Sequence, residues 1–123
     1  MPVKDVAAAR EFYPKMGFGI NEQFSNDQNA VVIIDEGNML MLVAEDFFKQ
    51  NTGRDVADTT KVSEVSLAIQ VANREEVDKM FETAIAASGK QAGETVEEAE
   101  YGMYSRGVTD LDGHKLDILC MTA

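Results

Sequence analysis

Apolar residues recur at Val6, Ala9, Tyr13 and Met16, the spacing of one helix face, between Asp5 and Gly17. Asp5 can cap the free amides of the first turn, and Gly17 can take the left-handed conformation that stops a helix. Pro14 conflicts with that reading, because it removes a backbone bond to Arg10 and crowds its carbonyl. The last turn is therefore expected to kink or loosen. Phe18, Ile20, Glu22 and Phe24 switch to strict alternation, which predicts a half-buried strand. Asn26-Asp27-Gln28-Asn29 has turn chemistry, and Ala30 to Ile34 is a short run rich in β-branched residues. Glu36-Gly37-Asn38 turns again, and Met39 to Ala44 reads as another strand.

Residues 45–62 interrupt the pattern. Glu45 to Gln50 suits one helical turn around Phe47 and Phe48. Asn51 to Lys61 is polar and aperiodic, which predicts a mobile connector. The pattern then restarts. Val65, Leu67, Ile69 and Val71 alternate with Ser66, Ala68 and Gln70. Asn73 and Glu76 form a capping-box signature, Val77, Met80, Phe81 and Ala84 follow at helical spacing, and Gly89 is expected to close the helix. Weaker strand signals cover Glu94 to Glu97 and Met103 to Thr109. Asp112-Gly113 is a hairpin dipeptide, and Lys115 to Met121 is the last strand.

Both halves thus read strand, helix, strand, strand, strand, provided Met1 to Val3 is a strand. Val3-Lys4-Asp5 and Val71-Ala72-Asn73 even place an Asx cap two residues past a valine alike. Internal duplication is the economical explanation.

Composition narrows the function classes. The 123 residues suit one compact domain, with 45% hydrophobic and 27% charged residues, an ordinary globular balance. No run approaches the ~18 apolar residues of a bilayer span. The opening Met1-Pro2-Val3-Lys4-Asp5 lacks an apolar leader core, so a cytoplasmic protein is expected. The formal charge of −11 repels phosphate backbones and anionic lipid, which argues against nucleic acid and membrane partners. Cys120, the single cysteine, sits among apolar residues and is expected to pack as a small hydrophobe.

Three stretches carry a resemblance: Val3-Lys4-Asp5 before a helix, Phe12-Tyr13 with Met16-Gly17-Phe18, and Asp110-Leu111-Asp112-Gly113-His114 before the last strand. With the repeat, they make the chain similar to the vicinal oxygen chelate superfamily of glyoxalase I, bleomycin-resistance proteins and extradiol dioxygenases. It resembles the short bacterial glyoxalase-like members in particular. The resemblance implies an α+β fold of two tandem βαβββ modules forming a curved mixed sheet, with a concave pocket and the helices outside. Module one would cover 1–44, a connector 45–62 and module two 63–123 of a single domain. A homodimer is implied as well.

Strand parity proposes which side chains face the hollow. If Ser66 does, so do Ala68 and Gln70; the same parity adds Met39, Met41 and Val43, and then Lys115, Asp117, Leu119 and Met121. Core filling explains the Met and Leu members of that set equally well. Tyr104 and Arg106 join Met41, Ser66, Gln70, Asp117 and Leu119 as ligand-binding candidates, although Arg106 also reads as a structural arginine.

Metal-dependent members of the superfamily hold one ion with up to four His or Glu ligands from four strands. By that resemblance the first position falls before Met1, the second near Met41 and the third near Ser66. Only Asp117 keeps a carboxylate. One Asp cannot hold zinc, nickel or iron, which need three or four donors, so neither a metal nor another cofactor is expected. His114, the only histidine, and its neighbours Asp110 and Asp112 are expected to be hydrogen-bonded turn residues.

The expected function is metal-free binding of a small, partly apolar ligand. A metal-dependent lyase, isomerase or dioxygenase whose opening strand is truncated remains the alternative, and so does a module that only dimerises. Asp117, without an ion to neutralise it, should find Lys115, a hydroxyl or a ligand cation, or stay protonated.

Overall fold

The computed structural model describes residues 1–98 and 101–121. The fold is α+β, in two compact units, Met1–Asp58 and Thr59–Ala123.

In the first unit, β1 (Pro2–Val3) leads into α1 (Val6–Lys15), followed by β2 (Gly19–Ile20), β3 (Asn29–Asp35), β4 (Asn38–Ala44) and α2 (Glu45–Thr52). Asp5 caps α1 by accepting the amide of Ala8 at 3.0 Å. The helix ends one residue after Pro14, where Gly17 at φ +107° turns the chain. The sheet runs β1-β4-β3-β2, with β1 parallel to β4 and the other pairs antiparallel. Val6, Ala9, Phe12 and Tyr13 of α1 are buried, as are Ala30, Val32 and Leu42 of the sheet against which α1 packs.

The predicted strand over Phe18 to Phe24 is shorter than its alternation suggested. Only Gly19 and Ile20 pair, and Glu22–Phe24 forms a single 3-10 turn instead. Asn21 is the cause: its side chain accepts the amide of Phe24, a local cap that outcompetes the ladder, and Phe24 is left exposed. Glu45 onward also differs from the expected single turn. It makes two turns of helix that pack on β4 and β1, and Gly53 stops them in the left-handed conformation.

The second unit comprises β5 (Ser66–Gln70), α3 (Arg74–Ala86), β6 (Lys90–Gln91), β7 (Val96–Glu98), β8 (Met103–Thr109) and β9 (Lys115–Met121). Its sheet runs β5-β9-β8, with β6 and β7 both pairing along β8. Here too the first strand lies parallel to the last, and the rest are antiparallel. The two units therefore share one strand order, as an internal repeat requires, with the second position of the later unit split into two short pieces.

Asn73 caps α3 through the amide of Glu76 at 2.9 Å, and the Glu76 carboxylate reaches back to the amide of Ala72. The helix closes on Ser88, not on Gly89: Ser88 takes φ +80° and the Gly89 amide reaches the carbonyl of Ala84. Val77, Phe81 and Ala84 of α3 are buried, as are Val108, Leu116, Ile118 and Cys120 of the strands it covers. Each large apolar side chain so buried stabilises the unit by about 1.5–3 kcal/mol.

Gly107 allows one close approach. The Ala92 amide donates to the Gly107 carbonyl at 2.9 Å, and a Cβ at position 107 would collide with the Ala92 carbonyl oxygen. Gly107→Ala is therefore expected to destabilise the protein by about 1–3 kcal/mol in urea unfolding. An unchanged unfolding midpoint would mean that residues 91–93 give way freely.

Candidate functional site

Side-chain parity gives the second sheet two different faces. Leu116, Ile118 and Cys120 are fully buried on the face that α3 covers, while Lys115, Asp117 and Leu119 are only part-buried and Met121 is exposed. The strand register carries this division across the sheet. Ser66 lies beside Lys115, Ala68 beside Asp117 and Gln70 beside Leu119. On the other side, Gly107 pairs with Asp117 and Ser105 with Leu119. Ser66, Ala68 and Gln70 are all exposed. Four of the seven candidates, Ser66, Gln70, Asp117 and Leu119, therefore share one open face.

Asp117 is the chemical centre of that face. Its row neighbours, Ala68 and Gly107, are too small to cover the carboxylate. The Ser66 hydroxyl donates to Oδ2 at 3.0 Å, and Lys115 Nζ stands 3.3 Å from Oδ1. The carboxylate thus has two of the alternatives expected for it, a hydroxyl and the Lys115 ammonium.

Tyr104 and Arg106 do not join this group. Tyr104 pairs with Cys120 and Arg106 with Ile118, which puts both on the face that α3 covers. The Tyr104 hydroxyl donates to Asp78 Oδ1 of α3 at 2.6 Å, and Arg106 reaches the same oxygen at 3.1 Å. The Arg106 guanidinium also lies 3.6 Å from the centre of the Phe81 ring. Hydrogen bonding to Tyr104, then to Arg106, holds the Asp78 carboxyl below its ordinary range, and the same bond pushes the Tyr104 hydroxyl up. The two side chains fasten α3 to its sheet. The sequence reading weighed a structural role for Arg106; what it missed was that both alternate out of phase with Ser105 and Gly107.

Met41 belongs to the first unit. Its strand partner is Val31, and it faces away from α1, half exposed beside Met39.

A further cluster lies at the turn between β8 and β9. Asp110 Oδ1 accepts the amides of Asp112 and His114, both at 2.9 Å, so it organises the turn. His114 is 1% exposed, with Nδ1 2.9 Å from Asp110 Oδ2 and Nε2 3.0 Å from Glu64 Oε1. Asp110, Asp112 and His114 are close enough to suggest a metal centre. Yet both ring nitrogens and both Asp110 oxygens already have partners, so the group reads as a closed hydrogen-bond network. Glu64 was invisible to sequence reasoning, because nothing at a position just ahead of a strand marks it as a histidine's partner.

The profile of the glyoxalase/bleomycin resistance protein/dioxygenase superfamily matches residues 1–118. The chain belongs to that superfamily. Solved structures agree in fold. A protein of S. aureus described as hypothetical is 24% identical over 98% of this chain and 88% of its own, with a TM-score of 0.84. A glyoxalase/bleomycin resistance protein/dioxygenase family enzyme from Burkholderia phytofirmans is 20% identical over 98% and 94%, at 0.79. Lactoylglutathione lyase from Agrobacterium tumefaciens is 18% identical over 98% and 88%, at 0.69. At these identities the likeness is one of fold alone. No similar sequence was found among curated proteins.

The superfamily's metal chemistry needs several N or O donors on one ion. Of the positions the resemblance assigns to it, Met41 offers a thioether and Ser66 a neutral hydroxyl already turned to Asp117. The Lys115 ammonium stands beside Asp117 where a cation would have to sit. These residues do not fit a divalent ion.

The α3 contacts generate a direct test. A double-mutant cycle of Tyr104→Phe with Asp78→Asn is expected to give a coupling of about 0.5–1 kcal/mol in urea unfolding, toward the low end because Asp78 is half exposed. Zero coupling would mean that the pair does not hold α3 in solution.

Proposed function

We propose that this superfamily member binds a small, partly apolar molecule on the open face of its second sheet, without a catalytic metal. The observation that carries the reading is the pairing of Asp117 with Lys115 and Ser66 on a face where its row neighbours, Ala68 and Gly107, are small. Lys115 supplies the positive charge that a metal would supply elsewhere. A paired carboxylate and ammonium present no net charge. The ligand therefore does not need to be cationic; a neutral amide or a zwitterion suits the pair better. Leu119 and Gln70, one row along, would meet its apolar part and one polar group.

Met41, on the first unit's sheet, remains a ligand-binding candidate on the strength of the family resemblance alone. Tyr104 and Arg106 drop to a supporting part, because they face α3. We further propose a homodimer in the cytoplasm. The superfamily resemblance supports the dimer, and the charge of −11 suits a solvated protein that avoids nucleic acid. No described helix is long and apolar enough to cross a membrane.

The test is a thermal-shift screen of small amides, amino acids and aromatic acids, followed by calorimetric titration of each hit. Asp117→Asn is expected to weaken a true ligand by about tenfold, roughly 1.4 kcal/mol, and Ser66→Ala by less. Elemental analysis should find no stoichiometric zinc, nickel or iron. Affinities untouched by Asp117→Asn in a folded protein would remove the face assignment, and a metal lost on that substitution would remove the metal-free reading.

A further inference from the structure

His114 and Glu64 sit just outside the first rung of the β5–β9 ladder. Ser66 and Lys115 form that rung, two residues after Glu64 and one after His114. The stretch ahead of β5 is also pinned at its other end. The Thr59 hydroxyl donates to the Asp112 carbonyl, and Gly113 at φ +91° leaves room for the Thr59 carbonyl, 2.6 Å from where a Cβ would stand. Residues 59–64 are thus fastened at both ends to one turn. Among the described residues, β5 ends the sheet and pairs only with β9.

Both ring nitrogens of His114 face carboxylate oxygens, and an ionised carboxylate only accepts. A ring carrying one proton would set a bare lone pair against one of them. We propose that His114 is held as an imidazolium that clamps the lead-in of β5 to the β8–β9 turn and so positions Ser66, Lys115 and Asp117 according to the ring's protonation. His114 acts through these side chains, as a positioning residue. The consequence for ligand affinity rests on the proposed function; the clamp does not.

The charged groups acting on the ring are Asp110 and Asp112 from its own turn and Glu64 from the segment before β5. Lys115, next in sequence, is directed to Asp117. Burial, the largest single influence, pulls the ring's pKa down. The Asp110 hydrogen bond and the charges of Asp110, Glu64 and Asp112 outweigh it and hold the ring above its ordinary 6.5. A group whose folded pKa is raised contributes its full stability below the unfolded value. That contribution is then lost as pH rises through the folded one.

With one histidine in the chain, the experiment needs no assignment of the ring. The full-length protein is titrated by NMR, following the imidazole C–H signals and the backbone amides of Ser66 and Asp117. The wild-type ring is expected to titrate above 6.5, with both amides shifting at the same midpoint. Glu64→Gln, which keeps the shape, should lower that midpoint by about one pH unit. Urea midpoints should fall across the wild-type titration and across the lower range in the variant. A wild-type ring titrating at or below 6.5 overturns the clamp without recourse to any variant. A midpoint unmoved by Glu64→Gln overturns it too, and amides that ignore the ring overturn the positioning. A protein that passes every arm but binds nothing on its sheet face loses the proposed function and keeps the clamp.

Discussion

The register that sets Asp117 opposite Gly107 and beside Ala68 is the constraint on which the rest of the second unit depends. Side chains alternate across a strand, so this pairing decides which residues α3 covers and which remain open. A slip of one residue would turn Leu116, Ile118 and Cys120 outward and carry Lys115 and Asp117 under the helix. Burying an ion pair there would cost several kcal/mol, in addition to the lost apolar contacts. The hydrophobic face and the polar cluster therefore specify the same register independently.

Close packing around Gly107 adds a steric argument to the energetic one. The Ala92 carbonyl occupies the space that any side chain at 107 would need. Residues 91–93 can lie against β8 only where a glycine stands, so the approach of that segment and the small row around Asp117 have one cause. A Cβ at 107 would also lie 3.3 Å from Asp117 Oδ1, so the Ala92 backbone borders the carboxylate on that side while exposed Ala68 leaves the other side open. Its charge is then managed within its own strand, by Lys115 two positions earlier on the same face. Parity alone guarantees that i and i+2 meet in this way.

The repeated order of strand, helix and three strands was legible in the periodicity, because caps, turns and apolar spacing agree along most of the chain. The exceptions have local causes. Asn21 captured the Phe24 amide and ended a strand whose alternation ran on for four residues more. Ser88, not the adjacent Gly89, took the left-handed turn. Among site residues, parity from Ser66 and from Asp117 was enough to group four candidates on one face. Tyr104 and Arg106 were misplaced because parity runs only within one strand. Transferring it from β9 to β8 needs the register, which the intervening turn determines and periodicity does not reveal.

That turn shows what is hardest to read from a sequence. Asp110, Asp112, Gly113 and His114 look like ordinary turn residues, and most of their local bonds are ordinary. The group that changes their character is Glu64, 50 residues away. Parallel pairing explains the distance, since β5 and β9 can lie side by side only after the chain has crossed through α3 and returned. A buried imidazole with one carboxylate neighbour needs one proton to satisfy both; with two such neighbours it needs both of its protons. The protonation state of the only histidine is therefore a consequence of topology. A change in the lead-in to β5 would reach Asp117 through the first rung of the ladder, by way of Ser66 and Lys115.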